Sequence, residues 1–186
     1  MSFADLKANI LQRKDKSAKG EIDEAIKPLI DLINRHPDYV TTSSCSGRIV
    51  LLWGVKRQSR FLFCTHSPVD RIPLVDIPLD GEVWLRCEGM ILHVKCRTIA
   101  GAAALLTRAQ QAGLKHSGIV SCGEHPVIEI RSADAMAVPY AVDGKLLPMD
   151  TETVLRLCNQ KFQNNLKRLK QFEAMLTLAF TKSDFE

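Results

Sequence analysis

Eight residues, Thr41-Thr42-Ser43-Ser44-Cys45-Ser46-Gly47-Arg48, carry five hydroxyls, a thiol, a glycine and an arginine between two apolar segments. Hydroxyls and backbone N–H groups that converge at a glycine bend can cradle an anion, and Arg48 can clamp a carboxylate or phosphate. The same composition also makes an ordinary β-turn. Cys45 is a nucleophile only beside a base, and none lies near it in sequence; a small buried residue is the alternative. A second run, Glu88-Gly89-Met90-Ile91-Leu92-His93-Val94-Lys95-Cys96, reads as a strand. Its period of two puts His93 on one face with Ile91 and Lys95, opposite Met90, Leu92 and Val94. A glutamate and a histidine can take a proton from a substrate, and Gly89 lets backbone approach a ligand. A strand with a surface histidine accounts for the spacing equally well. His66, at the end of another apolar run, has the same two readings.

Missing motifs narrow the field. There is no G-x-G-x-x-G after a strand, no Walker-type lysine loop, no C-x-x-C and no H-E-x-x-H. Neither common nucleotide signature is therefore present, and a zinc site would need distant cysteines and histidines. No metal is expected. The net charge of +4 is modest, but its distribution is uneven. Five bases and no acid lie between Arg156 and Lys170, four and no acid between Arg48 and Arg60, and Lys14, Lys16 and Lys19 form a third cluster. Acids gather from Asp70 to Glu88. Such segregation suits a phosphate-attracting face; a solvated helix face with two charged loops has the same signature.

The elements that must position these residues follow from periodicity. Glu21 to Arg35 has a helical apolar stripe, stopped at His36-Pro37-Asp38. Tyr39 to Thr42 is extended, Ser43 to Gly47 a tight polar turn, and Arg48 to Trp53 and Arg60 to Thr65 are strands. A proline-rich loop spans Pro68 to Pro78, with a turn at Asp80-Gly81. Strands are expected at Val83 to Arg86, Met90 to Cys96, Gly118 to Cys122, Val127 to Ile130 and Met136 to Tyr140. Thr98 to Ala112 is a helix ended by Gly113, and Asp143-Gly144 is a hairpin turn. Asp150 caps a long final helix from Thr151 to about Ala179. Strands follow one another too often for βαβ alternation, so the class is α+β: a single compact domain of short strands with flanking helices and a long C-terminal helix. Two intimate halves, about 1–80 and 81–186, are the variant of this arrangement. With 46% hydrophobic and 25% charged residues, no signal-peptide pattern and no membrane-length apolar run, a cytoplasmic protein is expected. Its six scattered cysteines then read as reduced thiols.

Taken together, the segments resemble the family of tRNA wybutosine-synthesizing protein three. The resemblance begins at Asp15, Ser17, Lys19-Gly20 and Asp23 and continues through Thr41 to Ile49 and Thr65-His66. Glu88, Leu92-His93-Val94, Cys96-Arg97, Gly113 and Ser117-Gly118-Ile119 extend it. Arg131-Ser132, Val138-Pro139, Gly144-Lys145-Leu146 and Asn159-Gln160-Lys161 close it, in collinear order over nearly the whole chain. Where the family commonly has proline after the glutamate, this chain has Gly89.

The resemblance implies an S-adenosylmethionine-dependent methyltransferase acting on a ring nitrogen of the tricyclic demethylwyosine base beside the anticodon of phenylalanine tRNA. It also implies a fold unlike the doubly wound methyltransferases. On that basis Ser43, Ser44, Cys45, Ser46, Gly47 and Arg48 bind the amino-acid end of the donor or a tRNA phosphate. Glu88, His93 and His66 are the catalytic candidates, and Lys19, Arg57, Arg60 and Arg168 hold the tRNA backbone. A non-catalytic RNA-binding module on the same scaffold is the competing expectation. The oligomeric state is not legible.

Overall fold

The computed structural model describes residues 1–12, 22–54 and 59–183. Lys19 and Arg57 lie outside them. The elements run α1 (Phe3–Leu11), α2 (Lys27–Arg35), β1 (Tyr39–Cys45), β2 (Arg48–Trp53), β3 (Arg60–Thr65), β4 (Glu82–Glu88), β5 (Ile91–Cys96) and α3 (Ile99–Gln111). β6 (Gly118–Ser121), β7 (Val127–Arg131), β8 (Met136–Val142), β9 (Lys145–Leu146) and α4 (Thr151–Ser183) complete them. The chain divides into two units: unit 1 holds Met1–Ser46, Met90–Ala133 and Leu166–Glu186, and unit 2 holds Gly47–Gly89 and Asp134–Asn165. Helix α4 thus contributes its first part to unit 2 and the rest to unit 1.

Unit 1 is built on a four-stranded antiparallel sheet in the order β1-β5-β7-β6. Alternation decides its faces: Leu92, Val94 and Cys96 are buried while Ile91, His93 and Lys95 are half-buried on the other side. β7 repeats the pattern with Ile128 and Ile130 inside. The buried face joins one apolar core with Ile26, Leu29, Ile30 and Ile33 near α2, Ala102, Leu105 and Ala109 of α3, and Leu169, Phe172 and Leu176 of α4. Unit 2 is built on a five-stranded antiparallel sheet, β3-β2-β4-β8-β9. Ile49, Leu51, Leu85 and Cys87 are buried there, as are Leu155, Cys158 and Phe162 from α4. Both sheets are antiparallel, so the α+β class expected from the sequence is the one observed.

Local chemistry fixes the ends. Thr98 caps α3 by accepting from the Gly101 amide, and Gly113, with φ of +88°, closes it in the left-handed conformation. Asp150 accepts from the Thr153 amide at 3.1 Å and starts α4 as expected. Asp143 and Gly144, both at positive φ, turn β8 into β9.

Beyond shifts of a few residues at element ends, three features differ from the sequence expectation. Helix α2 begins at Lys27 rather than Glu21, because Pro28 in its first turn has no N–H to give and belongs at a helix start. Ser43 to Cys45 are strand and not turn: β1 runs on to Cys45, paired with β5 as far as Ile91. Helix α1 was not anticipated, although Ser2 and Asp5 form a reciprocal capping box that announces it.

Phe162 is 1% exposed. Phe162→Ala should cost about 3–5 kcal/mol in denaturant unfolding, whereas Leu157→Ala on the exposed side of α4 should change stability by no more than about 0.5 kcal/mol. None of the six cysteines is in a disulfide; Cys122 is exposed, and burial pushes the Cys96 thiol up to about 12. Alkylation of the native protein at neutral pH should therefore label Cys122 and spare Cys96 until denaturant is added.

Candidate active site

In unit 1 the hydroxyl-rich segment meets the histidine strand through the β1–β5 register. Thr41 pairs with Val94 and turns toward α2, where its amide donates to Asn34 Oδ1 at 2.9 Å and its hydroxyl lies 3.0 Å from Asn34 Nδ2. A β-bulge at Thr42 follows, so the next paired residue is Ser43, opposite His93. Without the bulge Thr42 would occupy that place; an extra residue in one strand re-aims the side chains after it. Ser43 Oγ lies 2.8 Å from His93 Nδ1. On the next strand Glu129 stands opposite His93, with Glu129 Oε2 3.1 Å from His93 Nε2. Arg131 reaches the other oxygen of Glu129 at 3.5 Å. A row of serine, histidine, glutamate and arginine thus lies on the face opposite the core. Ser43 is exposed, while the side chains of His93 and Glu129 are 29% and 22% exposed.

At the end of the same segment the Ser46 amide and hydroxyl both donate to Asp23 Oδ2, at 2.9 and 3.1 Å. Ser46 is fully buried. Two donors from this segment, both of Ser46, thus converge on a carboxylate, that of the chain's own Asp23.

In unit 2, Arg48 and Glu88 are cross-strand partners on β2 and β4, and Arg48 Nε donates to Glu88 Oε2 at 2.6 Å. The guanidinium also lies over the Phe61 ring, 4.6 Å from its centroid. His66 donates from Nδ1 to the Gly47 carbonyl at 2.8 Å. Gly47 itself has a φ of +104°, and a Cβ there would stand 2.6 Å from Asn165 Nδ2 and 2.9 Å from the Glu88 carbonyl oxygen. Asn165 is fully buried. Asn159 clasps the proline-rich loop, donating to the Val69 carbonyl at 2.7 Å and accepting from its amide at 2.9 Å. The thiol of Cys87 is pushed up by its hydrogen bond to Cys158 and by burial, which leaves it a packing group rather than a nucleophile.

The structure therefore brings together Ser43 with His93 in unit 1, and Gly47, Arg48, Glu88 and His66 in unit 2. Ser44 and Cys45 continue β1, half-buried, beside Leu92 and Ile91 of β5. Of the basic residues, Arg60 is exposed with its guanidinium 5.6 Å from the Trp53 ring centroid. Arg168, in unit 1, donates to the Gly113 carbonyl at 3.3 Å, where a cation complements the C-terminal end of α3. A Cβ on Gly113 would collide with that guanidinium. Glu129 was missed in the sequence. Its alternating context, Val127-Ile128-Glu129-Ile130-Arg131, shows an outward acid, but only strand register shows that it meets His93.

The fold is similar to that of a solved Pyrococcus horikoshii protein, with a TM-score of 0.75 and 27% identity over 93% of this chain and 92% of that one. A family model described as methyltransferase TYW3 matches residues 4–177. A Xenopus laevis relative, "tRNA wybutosine-synthesizing protein 3 homolog", is 32% identical over 98% of this chain and 78% of its own. An Arabidopsis thaliana relative, "tRNA wybutosine-synthesizing protein 2/3/4", is 35% identical over 87% of this chain, which spans only 19% of that much longer protein. The chain belongs to the methyltransferase TYW3 family.

Gly47→Ala adds a methyl where side-chain and backbone atoms already stand, in a conformation that L-residues avoid. It should destabilise the protein by about 1–3 kcal/mol, read from thermal unfolding, with Gly118→Ala, where a Cβ meets nothing within 4 Å, as the mild control.

Proposed function

We propose that this protein methylates a ring nitrogen of the demethylwyosine-type tricyclic base in phenylalanine tRNA, with S-adenosylmethionine as donor, in the cytoplasm. The observation that carries the reading is the family match over residues 4–177, supported by relatives whose names place them in wybutosine synthesis. Among the described residues no helix is long and apolar enough to cross a membrane, which agrees with a tRNA substrate.

Methyl transfer to nitrogen needs aligned reactants, a fixed charge to accommodate the cationic donor, and an acceptor for the nitrogen's proton. The residues of unit 1 fit these needs. Asp23, anchored by two donors from Ser46, is a fixed carboxylate suited to an ammonium or sulfonium. His93, carried on a sheet face between Ser43 and Glu129, provides the proton-accepting equipment. S-adenosylmethionine, when bound, supplies the electrophilic methyl group. In unit 2 the Arg48–Glu88 pair holds a guanidinium against Phe61, and with exposed Arg60 gives that unit cationic and aromatic groups for RNA phosphate and base. Lys19 and Arg57 extend this reading to the tRNA backbone from sequence alone. A non-catalytic RNA-binding role is the second reading, favoured by the same cation–aromatic contacts.

Incubation with labelled S-adenosylmethionine and phenylalanine tRNA carrying the unmethylated tricycle, followed by nucleoside mass spectrometry, separates the two. Label in the tricycle is expected from the wild type. RNA binding without any transfer, under conditions where donor is in excess, would leave only the second reading. His93→Ala should lower turnover on the order of 100-fold or more with donor binding retained.

A further inference from the structure

We propose that Ser43, and not His93, is the group that takes the proton from the substrate nitrogen, passing it inward along a Ser43–His93–Glu129 relay in which Glu129 is a positioning residue. This rests on the methyltransferase reading above and adds the assignment of each proton in it.

The valences of the imidazole fix where each hydrogen lies. Both nitrogens of His93 are occupied: Nε2 lies 3.1 Å from Glu129 Oε2 and Nδ1 lies 2.8 Å from Ser43 Oγ. An ionised carboxylate only accepts, so the hydrogen between His93 and Glu129 belongs to Nε2. In the neutral ring Nδ1 is then the acceptor, and the bond from Ser43 must be O–H donating to Nδ1. His93 therefore has no vacant nitrogen for a substrate. Ser43 does have capacity: its hydroxyl hydrogen is committed, while its oxygen keeps acceptor lone pairs, and it is the exposed member of the three-residue relay. Burial deepens from Ser43 to His93 to Glu129. A proton arriving at Ser43 Oγ thus has a defined path to a base and a carboxylate that stabilises the imidazolium.

In the step itself the ring N–H gives its proton to Ser43 Oγ while the original Ser43 proton moves to His93 Nδ1. The nitrogen lone pair forms the bond to the methyl carbon, and the electron pair of the broken C–S bond stays on sulfur, which leaves as a neutral thioether. Ser43 is unchanged, His93 becomes imidazolium beside Glu129, and charge balances. Arg131, 3.5 Å from the second Glu129 oxygen, helps orient that carboxylate. The β-bulge at Thr42 is what brings a serine into the row. Its primary hydroxyl is less crowded than that of the threonine it displaces.

Two measurements test the relay on the full-length protein. Long-range proton–nitrogen correlation spectra of the histidine rings should show His93 as the Nε2–H tautomer in the wild type, and Glu129→Ala should abolish that preference. A wild-type His93 in the Nδ1–H form would overturn the assignment whatever the activity. In the methyl-transfer assay, Ser43→Ala should lower kcat about 100-fold with KM for the tRNA little changed, and Glu129→Gln at least about 10-fold. Ser43→Thr, which restores a hydroxyl, should recover most of the loss. Full turnover by Ser43→Ala beside an active wild type would defeat the relay alone. A wild type inert toward precursor tRNA would defeat the proposed function, and the proton path with it.

Discussion

The alternation of β5 is the constraint from which the rest of unit 1 takes its arrangement. Leu92, Val94 and Cys96 must face the helices, since they form the floor of the only apolar core that this unit has among the described residues. A slip of one residue would bury His93 and Lys95 and expose three apolar side chains, so the register is strongly specified. With β5 fixed, β1 and β7 must pair on either side of it, and their outward residues fall beside His93. Core packing on one face therefore sets polar geometry on the other. Within the β1–β5 pair the bulge at Thr42 is the adjustment: it keeps Thr41 on the α2 side, bonded to Asn34, and still delivers Ser43 opposite His93.

Unit 2 uses a different device. Arg48 and Glu88 are half-buried cross-strand partners, and each would be poorly placed alone on a sheet whose neighbouring Val50 is fully buried. Pairing and the Phe61 ring together account for one face of the guanidinium and its Nε. Removing either member would leave a charge with its partner missing, which is generally worse than replacing both. Gly47 belongs to the same arrangement, because only a residue without a Cβ lets Asn165 and the Glu88 carbonyl stand so close.

Much of this was legible in the sequence, and the boundary is physical. Period-two alternation placed His93 on the outer face, Thr98 and Gly113 bracketed α3, and Asp150 announced α4. Local signals sufficed in each case. Local signal misleads at the serines, whose turn preference is overridden by tertiary pairing: Ser43 and Ser44 satisfy their backbone in a ladder with β5. It is also silent where a partner lies far along the chain. Glu129 is 36 residues from His93, Glu88 is 40 from Arg48 and Asn159 is 90 from Val69; only strand and loop pairing reveal them. Arg168, expected to hold the tRNA backbone, also donates to the Gly113 carbonyl at the end of α3, a contact that sequence does not show. Charge pattern shows where cations are, not what already holds them.

The polar row in unit 1 has a cost that points back to its use. Hydrogen-bonded networks on a half-buried surface are strong when every member is satisfied and unfavourable when one is not. A surface strand needs no histidine at this position for stability, since a threonine or valine would suit the sheet as well. A carboxylate on one nitrogen of His93 and a hydroxyl on the other fix the ring's orientation and tautomer, which the proposed one-way proton transfer requires. The gradient from exposed Ser43 to shielded Glu129 gives that direction. Under the proposed relay, charge generated on the imidazole would be matched by the carboxylate behind it, leaving the exposed serine hydroxyl neutral.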